Sequence, residues 1–262
     1  MRYLMTFSYD GTNFAGYQTQ PGLRTVQGEI EASLAYINKG TKCNLVASGR
    51  TDAKVHALKQ HAHFDMNIDV SNQKLKSAIN SRTPSDIYVS KIEVVAPDFH
   101  ARYMVKEKEY KYIINIGEYN PLERDYVYQY NYKLDLSAMK KAIKYFKGTH
   151  DFRAFVSENS KKDNCIRTIR KAVIKSNKLD ANKLEFHFIG TGFLKYQVRN
   201  MVGYLIKVGE GKAPSREVKT VILSKDRLKA GRTAPPCGLY LMDVSYKKVK
   251  KRENKAIINI SD

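Results

Sequence analysis

The chain contains no tryptophan, only 7 prolines and 3 cysteines, and it is short of acid, with 26 Asp and Glu against 46 Lys and Arg. Cys43, Cys165 and Cys237 lie 122 and 72 residues apart. An odd count with no CxxC pair argues against a disulfide scaffold or a zinc ribbon and favours a reducing compartment. No run approaches the ~20 apolar residues that span a bilayer. The best candidate, Phe193 to Val208, is interrupted by Lys195, Arg199 and Lys207. The opening stretch MRYLMTFSYDG lacks the apolar core and small-residue cleavage site of a secretory signal, so a cytoplasmic location without membrane attachment is expected. No internal sequence repeat is visible.

What is present describes a globular chain. Of its 262 residues, 42% are hydrophobic and 27% charged, outside the disordered range. That length fits one large domain or two small ones, and enough surface is buried to make disulfide staples unnecessary. The formal charge of +20 is unevenly placed: residues 1–131 carry a net +2 and residues 132–262 a net +18. Such a field attracts polyanions, with nucleic acid the obvious partner. Coding bias is the bland alternative, because 32 of the 46 basic residues are lysine. The Lys161–Lys162 pair and the 247–262 tail are equally compatible with simple solvated charge.

Alternation over Arg2 to Tyr9 predicts a strand ending in an Asp10-Gly11 turn. Val26, Ile30, Leu34 and Ile37 predict a helix over Thr25 to Asn38. Strands are expected at Cys43–Ala47, His61–Met66 and Tyr88–Val94, with a short helix at Leu75–Asn80. The order is β-α-β-β-α-β, and the second half approximates it again. Strands at Tyr110–Ile116, Ile166–Ile174, Leu184–Ile189 and Leu239–Tyr246 accompany helices at Leu136–Phe146, Leu194–Val208 and Glu217–Leu223. The fold class expected is α+β: two ferredoxin-like subdomains with antiparallel sheets, divided near residues 98–108, followed by a basic tail in which Ile257–Ile260 could add a strand.

The densest polar cluster, Ser48-Gly49-Arg50-Thr51-Asp52-Ala53-Lys54-Val55-His56, follows an apolar strand, the usual place for a site held by a rigid scaffold. Gly49 would permit a sharp turn. Asp52 is open to two readings, a catalytic carboxylate or the cap of a short helix beginning at Ala53. His56, His61, His63 and Asp65 invite a metal reading, but no second cluster completes a three- or four-ligand set. Tyr110 and Tyr112, interleaved with Lys108 and Lys111, suit base stacking beside phosphate contacts or ordinary core packing. Arg199, at the margin of the helical stripe, is either exposed or leans over a cleft toward a carboxylate.

Read together, the fragments resemble the TruA family of tRNA pseudouridine synthases. Tyr9-Asp10-Gly11-Thr12-Asn13-Phe14-Ala15-Gly16-Tyr17-Gln18 resembles its first block, and Gly49 to Ala57 its GRTDAGVHA signature. Phe99-His100-Ala101-Arg102, Tyr110-Lys111-Tyr112, His150-Asp151-Phe152, Gly192-Phe193-Leu194, Val198 to Gly203 and Ala234 to Leu239 follow in family order. Three positions depart from the pattern. Lys54 stands where the family has glycine, Tyr17 where it has tryptophan, and Lys108 where it has arginine.

The resemblance implies two RRM-like halves, residues 1–105 and 106–246, joined around a central RNA-binding cleft. It implies a homodimer that isomerises uridine to pseudouridine, most typically at positions 38, 39 and 40 of the tRNA anticodon stem-loop, with no cofactor and no metal. Asp52 is then the essential carboxylate, Tyr110 holds the uracil, Arg199 pairs with Asp52, Arg50 helps to keep the target nucleotide out of its stem and Leu239 forms an apolar wall. Lys54 raises the alternative of a paralogue acting on another structured RNA such as ribosomal RNA. A non-catalytic RNA-binding protein on the same scaffold is a further alternative.

Overall fold

A computed structural model describes residues 1–157 and 164–247. The Lys161–Lys162 pair and most of the basic tail, including Ile257–Ile260, lie outside the described residues. The fold is mixed α+β, built on one large, mostly antiparallel sheet.

In the first half, β1 (Arg2–Tyr9) is followed by α1 (Val26–Ile37), β2 (Val46–Ala47), β3 (His56–Asp65), α2 (Asn72–Asn80) and β4 (Ile87–Val95). Tyr3, Met5, Phe7 and Tyr9 are all buried on one face of β1, as the alternation required. Helix α1 is opened by Thr25, whose hydroxyl accepts from the Gly28 N–H, and buries Val26, Ile30 and Leu34. That cap is worth about 1 kcal/mol. The second half runs β5 (Val105–Asn115), β6 (Tyr128–Gln129), α3 (Leu136–Ala142), β7 (Gly148–Asp151), β8 (Ile166–Ser176), β9 (Lys183–Gly190), α4 (Gln197–Gly209), α5 (Glu217–Ser224) and β10 (Leu239–Tyr246).

Strand order across the sheet is β4-β1-β3-β10-β5-β9-β8-β7, with β2 pairing β3 and β6 pairing β5. Antiparallel sheets of two halves joined around a cleft were expected; the join is made by β10, which inserts between β3 and β5 so that one sheet runs through both halves. Strand β10 runs antiparallel to β5 and parallel to β3, where Tyr240 is opposite His56 and Leu241 opposite Ala57. One hydrophobic cluster accordingly reaches from Tyr3 to Val244 through both halves.

Several boundaries depart from the periodicity, each for a local reason. Strand β3 begins at His56 rather than His61, because His56 and Gln60 are buried polar residues that alternation of apolar side chains does not register. Helix α4 begins at Gln197 rather than Leu194, because Tyr196 adopts a left-handed conformation that breaks the run. The helix expected over Leu136–Phe146 tightens into a 3₁₀ turn at Ile143.

Candidate active site

The polar loop 48–55 lies at the seam between the halves, immediately before β3. It is held from beneath by the first sequence block. The Tyr9 hydroxyl shares a 2.7 Å hydrogen bond with Thr51 Oγ1, and the Tyr17 N–H donates to the Thr51 carbonyl at 3.1 Å. Gly11 packs so closely that a Cβ there would lie 2.2 Å from the Val55 carbonyl oxygen. The Gly11 N–H donates to Nδ1 of the buried His56, whose Nε2 meets the Asp125 carbonyl at 3.0 Å. A ring nitrogen facing a carbonyl must carry the proton, so His56 is the Nε2–H tautomer when neutral. The first block and the Asp52 signature are therefore parts of one folded unit, although some 30 residues separate them.

The start of the loop is tied down as firmly. Ser48 Oγ donates to Gln60 Oε1 at 2.7 Å, Gln60 Nε2 donates to the Gly49 carbonyl at 2.9 Å, and Lys108 Nζ donates to the Ser48 carbonyl at 2.7 Å. Gly49 has no positive φ, so no sharp turn requires it, and a Cβ there would meet Lys108 Nζ at 2.3 Å, the end of a flexible side chain. Burial, then the nearby Arg102 and Arg167, push the Lys108 ammonium down to about 8.

Asp52 opens no helix. The chain turns at Asp52–Val55, closed by the Val55 N–H on the Asp52 carbonyl at 3.2 Å, and Lys54 occupies the third position with φ of 62°. Turns of this kind favour glycine there. Freed from capping, the Asp52 carboxylate points at α4, where Arg199 Nη1 lies 3.3 Å from Oδ2. Burial raises the Asp52 carboxyl above its ordinary value, and the charge and hydrogen bond of Arg199, with a smaller contribution from Lys195, oppose the rise without cancelling it.

Arg199 is fixed independently of Asp52. Its Nε donates to the Ala234 carbonyl at 2.8 Å, and its guanidinium carbon sits 4.6 Å from the centroid of the Tyr196 ring. Tyr110, on the same face of β5 as Lys108 and Tyr112, is buried against Phe193, edge to face at 5.1 Å. Burial, followed by Tyr9 and the Asp52 charge, raises its hydroxyl, so Tyr110 stays neutral across the working range.

The other expected residues are less central. Leu239 is buried at the start of β10 opposite Tyr112, whereas Leu241 is the β10 residue opposite Tyr110. Arg50 is exposed and donates to Gln18 Oε1, with no bond to Asp52 or Arg199 among the described contacts. The histidines go separate ways: His61 stacks on Tyr246, and His63 Nδ1 accepts from the Ala101 N–H at 3.1 Å. Among the described residues no three His, Cys, Asp or Glu side chains converge as metal ligands, and no helix is long and apolar enough to cross a membrane.

Sequence reasoning missed Phe193, Tyr196 and the Ala234 carbonyl. Phe193 and Ala234 lay within recognised blocks but carried no chemical signal. A left-handed tyrosine has no signature in the sequence.

Chemically, the site is a partly buried carboxylate held against a guanidinium near a neutral aromatic ring. That combination suits an anionic group acting on an electron-poor carbon or an acidic C–H, with a planar ligand against the ring. The family model described as tRNA pseudouridine synthase matches residues 5–104 and 142–247. The tRNA pseudouridine synthase A of Anoxybacillus flavithermus is 45% identical over 241 residues, covering 92% of this chain and 97% of that protein. That of a Geobacillus species is 46% identical over 242 residues, covering 92% and 96%. The Streptococcus mutans protein of the same name is 44% identical over 247 residues, covering 94% and 99%. With a seam that joins Asp52 to Arg199 and a match that runs almost end to end, the chain belongs to the tRNA pseudouridine synthase family.

Proposed function

We propose that the protein isomerises uridine to pseudouridine in tRNA, with Asp52 as the essential carboxylate. The observation that carries this reading is the contact between a partly buried Asp52 and Arg199, with the buried Tyr110 within reach of the Asp52 charge. In the reaction the N1–C1′ bond of the target uridine breaks, the uracil turns, and a C5–C1′ bond forms. The C5 proton leaves to solvent and N1 gains one, so the product is an isomer and the balance requires no redox partner.

Asp52 either attacks C1′ or removes a proton from the sugar. Both roles need the ionised form, which Arg199 favours against burial. Tyr110 offers the uracil a stacking surface worth about 1–3 kcal/mol, enough to retain a base detached from its sugar. In this reading the exposed Arg50 of the same loop helps to keep the target nucleotide extruded, since chemistry on a paired base requires it to leave the stem. Leu239 contributes an apolar wall next to Tyr112. The strongly basic second half grips phosphates, and RNA affinity then falls steeply with salt.

The same reading takes residues 1–105 and 106–246 as two ferredoxin-like, RRM-like units around an RNA-binding cleft, with a basic tail over 247–262. The strand orders β4-β1-β3-β2 and β10-β5-β9-β8 support it, in a chain order of β-α-β-β-α-β for the first half and the same order with β6, β7 and α5 added for the second. A cytoplasmic homodimer without membrane contact or cofactor completes the proposal, with the anticodon stem-loop, positions 38, 39 and 40, as the target. A strain lacking the protein should lose pseudouridine at those positions and regain it from the intact gene. Loss confined to ribosomal RNA would favour the paralogue reading, and no loss from any RNA, with RNA binding retained, would favour a non-catalytic binder.

A further inference from the structure

Tyr196 stands directly before α4 at φ 64° and ψ 0°, with no side-chain cap bond to the helix. A bulky residue rarely adopts this left-handed conformation, and one that does is held there by its surroundings. Glycine or asparagine would occupy the same backbone with less strain, so what holds tyrosine here is to be sought in its ring. The ring faces the Arg199 guanidinium, one helical turn further on, at 4.6 Å from centroid to carbon, and Lys195 Nζ lies 5.3 Å from the same centroid.

Arg199 is thereby gripped at three points: its Nε by the Ala234 carbonyl, its Nη1 by Asp52 and its flat face by the ring. The first two contacts fix edges of the guanidinium. The third bears on its face and resists tilting of the plane that the two hydrogen bonds share, a restraint that a planar delocalised cation can use and an ammonium cannot.

We propose that Tyr196 is a positioning residue: its left-handed backbone lays the ring on the Arg199 guanidinium, and the ring holds that guanidinium against Asp52. The proposal rests on the reading of Asp52 as the essential carboxylate. The charged and titratable groups facing Asp52 are Arg199 on α4, Lys195 on the turn before it and Tyr110 on β5, with Tyr9 of β1 behind Tyr110. None of the others replaces an arginine whose plane has tilted away. Loosening Arg199 leaves burial less opposed, so the Asp52 carboxyl holds its proton to higher pH.

The test compares Tyr196→Phe, Tyr196→Leu and Tyr196→Gly with the unaltered protein by two readouts. One is kcat and KM against pH for tritium release from tRNA labelled at uridine C5. The other is a carbon-13 NMR titration of the RNA-free protein labelled at aspartate Cγ, with the Asp52 signal assigned by its absence from Asp52→Asn. Tyr196→Leu and Tyr196→Gly are expected to lower kcat by about tenfold with KM little changed. Both should move the acidic limb of the rate profile, and the Asp52 titration, to higher pH.

Tyr196→Phe keeps the ring and should restore both. Tyr196→Gly relieves the strained backbone, so a shift in that variant reports the missing ring and not a damaged fold, and it carries the comparison if Tyr196→Leu does not fold. An Asp52 titration unmoved in Tyr196→Gly, or moved as far in Tyr196→Phe as in Tyr196→Leu, would overturn the proposal. A wild-type protein inactive on every RNA would overturn the proposed reaction instead, and the NMR titration would still decide the role of Tyr196.

Discussion

Arg199 Nη1 lies 3.3 Å from Asp52 Oδ2 although 147 residues separate the two in sequence, and each side chain is less than one-fifth exposed. The contact depends on β10, which threads between β3 and β5 and brings the Asp52 loop of one half under α4 of the other. Removing the guanidinium should therefore cost turnover more than RNA binding. Arg199→Ala is expected to lower kcat/KM by about 10²–10³, with tRNA affinity within tenfold of wild type in filter binding. Arg199→Lys should recover only part of the loss, because an ammonium cannot bridge Asp52 and the Ala234 carbonyl in one plane.

Asp52 also has a signature in stability. Its carboxyl is raised in the folded state by burial, net of the opposing Arg199. The unfolded chain therefore releases this proton at lower pH than the folded protein does, and stability falls as pH climbs from the unfolded value of about 3.9 through the raised folded one. Asp52→Asn, a mimic of the neutral acid, should melt about 2 °C above wild type at pH 7. The gap should close below pH 4 in calorimetric scans.

Tyr17 is 2% exposed, and its hydroxyl has no hydrogen-bond partner among the described contacts. Its ring and backbone support the Asp52 loop, but its oxygen is desolvated without return. Tyr17→Phe should stabilise the protein by about 1 kcal/mol in urea unfolding, with turnover unchanged.

Gly11 tolerates no side chain. A Cβ 2.2 Å from the Val55 carbonyl oxygen must push either the Asp10–Gly11 turn or the catalytic loop aside. Gly11→Ala is expected to cost about 2–4 kcal/mol of stability and at least tenfold in kcat, read from denaturant midpoints and initial rates.

Much of this architecture was legible along the chain. The 2.0 and 3.6 periodicities located β1, α1 and α2 because their buried positions are apolar. They failed at the start of β3, where His56 and Gln60 are buried through hydrogen bonds, and at α4, where a backbone torsion of Tyr196 sets the boundary. The short strands β6 and β7 carry too few apolar residues to alternate. At the site, spacing could not choose between a capping and a catalytic Asp52, because the choice depends on a partner 147 residues away. The resemblance supplied Arg199. The reasons for Lys108 and Tyr196 are three-dimensional and have no trace in local sequence.

Lys54 holds φ at 62° and is exposed, two residues from Asp52. Lys54→Gly suits the turn better, so stability should change by less than about 1 kcal/mol once the added freedom of the unfolded chain is counted. The lost charge should show on RNA: weaker tRNA binding and a shallower dependence of log affinity on log salt, by close to one ion.

The central claim is that the Asp52 carboxylate starts the rearrangement of a uridine. It is tested most directly by incubating tRNA tritiated at uridine C5 with wild type and with Asp52→Asn, in EDTA, and counting tritium in water. Release by the wild type and none by the variant, with tRNA binding intact in both, is the expected result. Release that persists in Asp52→Asn, or a wild-type protein that binds tRNA and releases nothing, would contradict it.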